Sequence, residues 1–261
     1  MQPIEKALWF VEGHLADDLA LDDIAEVAGL SRFHLVRAFG AATGRSVMRY
    51  VRARRLSEAA RGLADGAPDI LAVALDAGYG SHEAFTRAFR DQFGATPEQV
   101  RGRACVRHLP LVEPIRMDGS LLQDLAPPRI VQGRALLLAG LSAHYSHEGS
   151  AGIPAQWQRF APWIGHIPGE TGPPVSYGVI CNADDQGDFD YLSAVEVSDF
   201  SGVPAELTRL RLAAQRYALF SNPGHITQIK ATCHVAWNEW LPASGETPAD
   251  APFLEFYPES F

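Results

Sequence analysis

Two stretches of this chain carry the same ordering of apolar and polar positions. Residues 21–28 read as a short helix with Asp22, Asp23 and Glu26 near its start, where the helix dipole favours acids. Ala25 is small enough for a second helix to cross closely. Gly29 permits a left-handed turn, and Ser31 is placed to cap the next helix. There Leu35, Ala38, Phe39 and Ala42 recur at i, i+3, i+4 and i+7 and should face a core. Arg32, Phe33, Val36 and Arg37 then face outward.

The pattern returns downstream. Ser31, Arg37, Ala38, Phe39 and Gly44 recur as Ser81, Arg87, Ala88, Phe89 and Gly94. Ile24, Ala25, Ala28 and Gly29 match Val73, Ala74, Ala77 and Gly78, so the second copy has one more residue in its turn. In that copy Phe85, Ala88 and Phe89 face in, Ser81 caps, and His82, Glu83, Thr86 and Arg87 face out. Each copy reads as helix–turn–helix. Residues 46–64 between them run without a breaker, as one helix of roughly 28 Å. Major-groove faces on one side of B-DNA recur about every 34 Å, so such a helix can hold two reading heads about one DNA turn apart.

From about 105 to 130 the pattern breaks. Pro110, Pro114, Pro127 and Pro128 exclude a helix interior, and β-branched, alternating segments follow. We expect an all-α domain over 1–108, a linker over 109–128, and an α+β domain over 129–261 that could begin near 115. In the last, 134–146 opens as a strand and 155–164 is a short helix with Trp157 and Phe160 at i, i+3. Residues 175–183 and 189–198 form a hairpin. Then come strand material over 207–222, a helix over 226–241, and a closing strand over 253–257. Two β–α–β rounds imply pseudo-twofold symmetry with a groove between halves.

Composition sharpens this division. The 261 residues are 47% hydrophobic and 20% charged, as in an ordinary folded protein. The net charge of −9 lies wholly in the second part. Residues 1–108 hold 14 basic and 14 acidic residues, and only Lys6 among the basic ones is a lysine. The acids gather at 17–26 and at helix starts, whereas arginines crowd the second helices and the long helix. Local distribution decides binding more than the sum does. Arg49, Arg52, Arg54 and Arg55 cluster on the long helix, some for phosphate contact and at least one for an internal salt bridge. Cys105, Cys181 and Cys233 stand far apart with no metal-ligand spacing, so neither a disulfide framework nor a structural zinc is expected. His144 and His147 lack a third ligand. No apolar run reaches bilayer length, the N-terminus has no signal-type apolar core, and a cytoplasmic location is expected.

The first part resembles the DNA-binding domain of AraC/XylS transcription regulators over about 3–104. The resemblance rests on EAFTRAFRDQFGATPEQVR and LDDIAEVAGLSRFHLVRAFGAATG. It implies seven helices with two helix-turn-helix motifs, whose second helices enter the major groove of double-stranded DNA. The family's base-reading places fall on Phe33, Val36 and Arg37, then on His82, Glu83, Thr86 and Arg87, with Arg32 beside them. Val36 can touch a thymine methyl but cannot hydrogen-bond a base edge. Each has a bland alternative: Phe33 packing on the long helix, Glu83 capping or orienting Arg87, arginines paired with acids.

The second part resembles GyrI-like effector-binding domains over about 115–261, through YALFSNPGHI, WNEWLPASG and FLEFYPESF. The resemblance implies a groove for small, often amphipathic molecules. The family's FE-x-Y motif is shifted here to Phe253-Leu254-Glu255-Phe256-Tyr257, and members usually continue one strand beyond the place of Glu259. Phe253, Glu255 and Tyr257 share a strand face, and a carboxylate between aromatics suits an organic cation. The alternative is a solvated glutamate on an edge strand. Trp157, Tyr177, Tyr191, Phe220 and Trp240 complete the candidate lining. Trp240 also fits a core stripe of Ile226, Ile229, Cys233 and Trp237.

The leading expectation is a ligand-responsive transcription regulator, with a cationic or neutral effector and RNA polymerase as a further partner. It needs no cofactor, metal or membrane. A GyrI-like small-molecule hydrolase, using a glutamate with nearby aromatics and fused to a DNA-binding domain, or a ligand-sequestering module tethered to DNA, is the alternative.

Overall fold

The first helix, α1 (Pro3–Gly13), begins at a proline, and the Gln2 N–H donates to Glu5 Oε2 at 2.8 Å. The computed structural model describes residues 2–115, 125–146, 151–171, 175–184, 186–222 and 229–258. They form two compact units, one of Met1–Leu35 with Arg45–Ser120, the other of Val36–Gly44 with Leu121–Phe261.

Helices α2 (Leu21–Ala28), α3 (Arg32–Thr43), α4 (Val47–Ala64), α5 (Ile70–Asp76), α6 (His82–Phe93) and α7 (Pro97–Arg103) follow in order. The repeated glycines account for the repeated turns. Gly29 and Gly78 both hold left-handed backbone, at φ 70° and 81°, and each ends the first helix of its motif. Ser81 Oγ accepts from the Ala84 N–H at 3.2 Å, capping α6, and Thr96 and Gln99 cap α7 reciprocally. The bridging helix α4 has 18 residues, about 27 Å. Around its C-terminal half Leu56, Leu63, Phe85, Phe89, Phe93 and Val100 form one apolar cluster. The rings of Tyr79, Phe85, Phe89 and Phe93 follow one another at centroid spacings of 5.5, 5.4 and 4.7 Å.

Arg54 supplies the internal salt bridge expected on α4. Its side chain is 4% exposed, and Nη2 and Nε both donate to the Glu12 carboxylate of α1. Its Nη1 donates to Glu58 and to the Val112 carbonyl. The chain leaving α7 is thereby laid along α4. The Val112 N–H donates to Ser57 Oγ at 2.9 Å and the Ile115 N–H to Tyr50 Oη at 3.1 Å. Arg55, by contrast, donates to the carbonyls of Leu15 and Asp17.

The second unit holds β1 (Arg129–Gln132), β2 (Leu136–Tyr145), α8 (Ile153–Phe160), β3 (Ser176–Cys181), β4 (Phe189–Glu196), β5 (Thr208–Leu212) and β6 (Arg216–Leu219). It closes with α9 (Ile229–His234), a π-helical turn (Val235–Trp240), α10 (Leu241–Ser244) and β7 (Phe253–Tyr257). Five strands form a sheet in the order β5-β2-β4-β3-β7, and β1 pairs with β6. β3 and β4 are antiparallel neighbours, as the hairpin pattern implied. The strand β1 was not foreseen, because it emerges directly from the proline-marked stretch.

Each sheet face has its own apolar cluster. One contains Ala139, Val195 and Phe160, with Leu141 and Trp157 against it. The other contains Leu138, Val179, Leu192 and Ala194, with Tyr177 and Leu254 against it. Among the described residues no helix is long and apolar enough to cross a membrane.

Candidate functional site

The register of β7 against β3 places Glu255 opposite Gly178, with Phe253 opposite Ile180 and Tyr257 opposite Ser176. On the far side of β3, Ile180 pairs with Tyr191 and Gly178 with Ser193. Side chains alternate along strands, so Phe253, Glu255, Tyr257, Tyr191 and Ser193 all project from one face.

There the hydroxyls of Tyr191 and Tyr257 both donate to Glu255 Oε2, at 2.6 and 2.8 Å. Trp157 Nε1 donates to the Tyr191 hydroxyl at 3.1 Å. The Trp157 ring stands edge-on to Tyr257, with centroids 5.2 Å apart. Burial first, then the neighbouring Glu255 charge, pushes both phenols well above their ordinary range. They therefore stay protonated and act as donors to the carboxylate. Burial likewise pushes the Cys233 thiol of α9 up to about 12, with Glu255 adding to it.

Four of the sequence-derived residues thus come together: Trp157, Tyr191, Glu255 and Tyr257. Phe253 shares their face. Tyr177 does not. It pairs with Ala194, on the opposite face, and its ring meets Phe256 at 5.7 Å. The hairpin pattern could not fix this, because one residue of register decides which face a side chain takes. Phe220 and Trp240 form a separate T-shaped pair at 5.4 Å. The stripe through Cys233, Trp237 and Trp240 is interrupted by the π-helical turn, which shifts the side-chain spacing. Ile226 and His147 lie outside the described residues.

One member was missed. Gln156 of α8 is 1% exposed, and its Nε2 donates to the carbonyls of Leu141 and Tyr191 and to Ser193 Oγ. Its Oε1 accepts from the Tyr145 hydroxyl at 2.8 Å. This amide ties α8, and with it Trp157, to the strand carrying Tyr191. A glutamine beside the Trp157 and Phe160 positions was the available signal. A cleft of about 160 Å³, lined by residues including Leu212, Tyr217 and Asp250, does not include Glu255.

On α6 the second-motif residues present a graded surface. Glu83 and Arg87 are exposed, and His82 and Thr86 half-buried. His82 Nε2 lies 3.2 Å from Glu98 Oε1 of α7. Its own backbone N–H, then the Ser81 hydroxyl, hold the Glu83 carboxyl below the usual range. On α3, Arg32 is exposed and pairs with Asp22 at 3.4 Å. Phe33 meets His34 edge-on at 5.5 Å. Val36 does not face outward as expected. It is 9% exposed, and an apolar side chain gains by leaving water. Arg37 is half-buried, and burial draws its pKa down to about 10.

Comparison with known proteins gives matches across both parts. Residues 126–261 match the model of the GyrI-like small molecule binding domain, and residues 24–103 that of a helix-turn-helix domain. Transcriptional regulator Rob of Salmonella typhimurium is 29% identical over 267 residues, covering 97% of this chain and 89% of that protein. Transcriptional regulator BrlR of Pseudomonas aeruginosa is 32% identical over 133 residues, 51% of this chain and 48% of that protein. The multiple antibiotic resistance protein MarA of Salmonella typhimurium is 34% identical over 98 residues, 38% of this chain and 77% of that protein.

Proposed function

The chain belongs to the GyrI-like small molecule binding family and is a DNA-binding transcription regulator of the AraC type, and from that premise we propose that it senses an amphipathic organic cation at Glu255. The observation that carries this reading is the Glu255 carboxylate accepting from the Tyr191 and Tyr257 hydroxyls, with the Trp157 indole donating to Tyr191. Such a cluster offers one charge and several ring faces, which suits a bulky cation with few hydrogen-bond donors. The acidic balance of residues 109–261 adds a field that disfavours anions. Sensing rather than turnover fits Glu255, because its Oε2 is already engaged by Tyr191 and Tyr257. Arg32, Phe33 and Arg37 of the first motif, and His82, Glu83, Thr86 and Arg87 of the second, are the proposed DNA-contacting residues. RNA polymerase is the proposed further partner, and the cytoplasm the proposed location.

The test uses calorimetry on the full chain with tetraphenylphosphonium and the neutral triphenylphosphine oxide. Glu255→Gln keeps the shape and removes the charge. It is expected to weaken the cation at least tenfold, about 1.4 kcal/mol, and the neutral compound less than twofold. Equal losses for both would refute the electrostatic role, and no loss for either would remove Glu255 from the site.

A further inference from the structure

We propose that Gly178 is a positioning residue for the effector site: its missing side chain is the space in which the Tyr191 hydroxyl and the Glu255 carboxylate meet. The inference rests on the reading of Glu255 given above. Gly178 lies within β3, directly between Ser193 of β4 and Glu255 of β7. Its φ is not in the left-handed region, so the backbone itself does not require glycine. A glycine inside a strand weakens the strand and commonly marks a close approach.

The approach here is made by the site's own polar groups. A Cβ at Gly178 would stand 2.5 Å from Glu255 Oε2 and 2.9 Å from Tyr191 Cζ, and closer still to the Tyr191 hydroxyl. Tyr191 has little room to retreat. It is 1% exposed, its hydroxyl accepts from Trp157, and its carbonyl accepts from Gln156. Glu255 is a longer, more flexible side chain on an edge strand. It is the group that yields, and in yielding it leaves the Tyr191 donor.

A second glycine provides the contrast. A Cβ at Gly140 of β2 would collide with backbone, namely the Ser193 carbonyl and the Ala194 Cα. Gly140 serves the pairing of strands, whereas Gly178 is surrounded by the side chains that make the site.

The test is calorimetry on the full chain with the same two probes, in a cycle of Gly178→Ala, Tyr191→Phe and the double variant. Gly178→Ala is expected to lose about tenfold in tetraphenylphosphonium affinity and less than twofold for triphenylphosphine oxide. If the methyl acts by parting Tyr191 from Glu255, adding it to Tyr191→Phe costs less than threefold more. An unchanged cation affinity, an equal loss for both probes, or full multiplication of the two losses overturns the proposal. Should Gly178→Ala fail to fold alone, Tyr191→Phe must restore folding by removing the nearest atom, and failure of both variants overturns it too. Glu255→Gln separates the two claims. If it weakens the cation while Gly178→Ala does not, only the positioning role falls. If it does not, the reading of the site falls first.

Discussion

Replacing Arg54 with methionine is expected to cost the helical unit about 3–5 kcal/mol, the usual penalty for breaking a buried ion pair from one side. The side chain is 4% exposed, and its guanidinium bonds Glu12, Glu58 and the Val112 carbonyl. Methionine fills much of the volume but leaves the Glu12 carboxylate with only the Tyr50 hydroxyl, at 2.6 Å, of its present side-chain donors. The pH dependence has a definite sign. Burial alone would raise the Glu12 pKa, but the hydrogen bonds from Arg54 and Tyr50 outweigh it and hold it below the ordinary range. A depressed folded-state pKa gives stability that is complete above the unfolded value, about 4.3, and is lost as pH falls through the folded one. The gap between wild type and Arg54→Met should therefore be widest near neutrality and narrow below about pH 4. Urea unfolding followed by helical circular dichroism at both pH values measures it. A constant gap would assign the loss to packing rather than to the pair.

Arg87→Ala is expected to weaken specific DNA binding by about 1–3 kcal/mol and to relax discrimination at one base position. Arg87 is exposed on α6. It lies one turn beyond Glu83, near the Ser81-capped start of the helix, and in a recognition helix the N-terminal residues are those that reach base edges. A phosphate contact would behave differently, weakening all sequences alike and reducing the salt slope by about one. Binding to a site selected from random duplexes, and to its single-base variants, at two salt concentrations separates these. Unchanged affinity and base preference would remove Arg87 from the interface.

The helical part was legible because its signals are local. Gly29 and Gly78 sit at the ends of matching helices, Ser81 caps as its position suggested, and α4 runs unbroken over Val47–Ala64. The closing strand β7 was legible too, since Phe253, Glu255 and Tyr257 alternate and share the face carrying Tyr191. What escaped depends on distant pairing. The face of Tyr177 is set by its register with Ala194 across a hairpin loop, and a slip of one residue would reverse it. The stripe over Cys233 and Trp240 assumed 3.6 residues per turn, and the π-helical turn spoils that spacing. Val36 looked outward by helical phase alone, yet an apolar residue takes whatever burial the chain offers. Gln156 and Gly178 carry no local signal because their meaning lies in what surrounds them: three sheet acceptors in one case, the Tyr191 hydroxyl and the Glu255 carboxylate in the other.

Occupation of the Glu255 cluster is expected to change DNA binding by the same chain. This is tested most directly by titrating the full-length protein against its selected DNA site with and without saturating tetraphenylphosphonium, in wild type and in Glu255→Gln. The cation is expected to shift the wild-type dissociation constant several-fold, and to shift that of Glu255→Gln only at concentrations at least tenfold higher. Identical DNA binding with and without bound cation in the wild-type protein would contradict it.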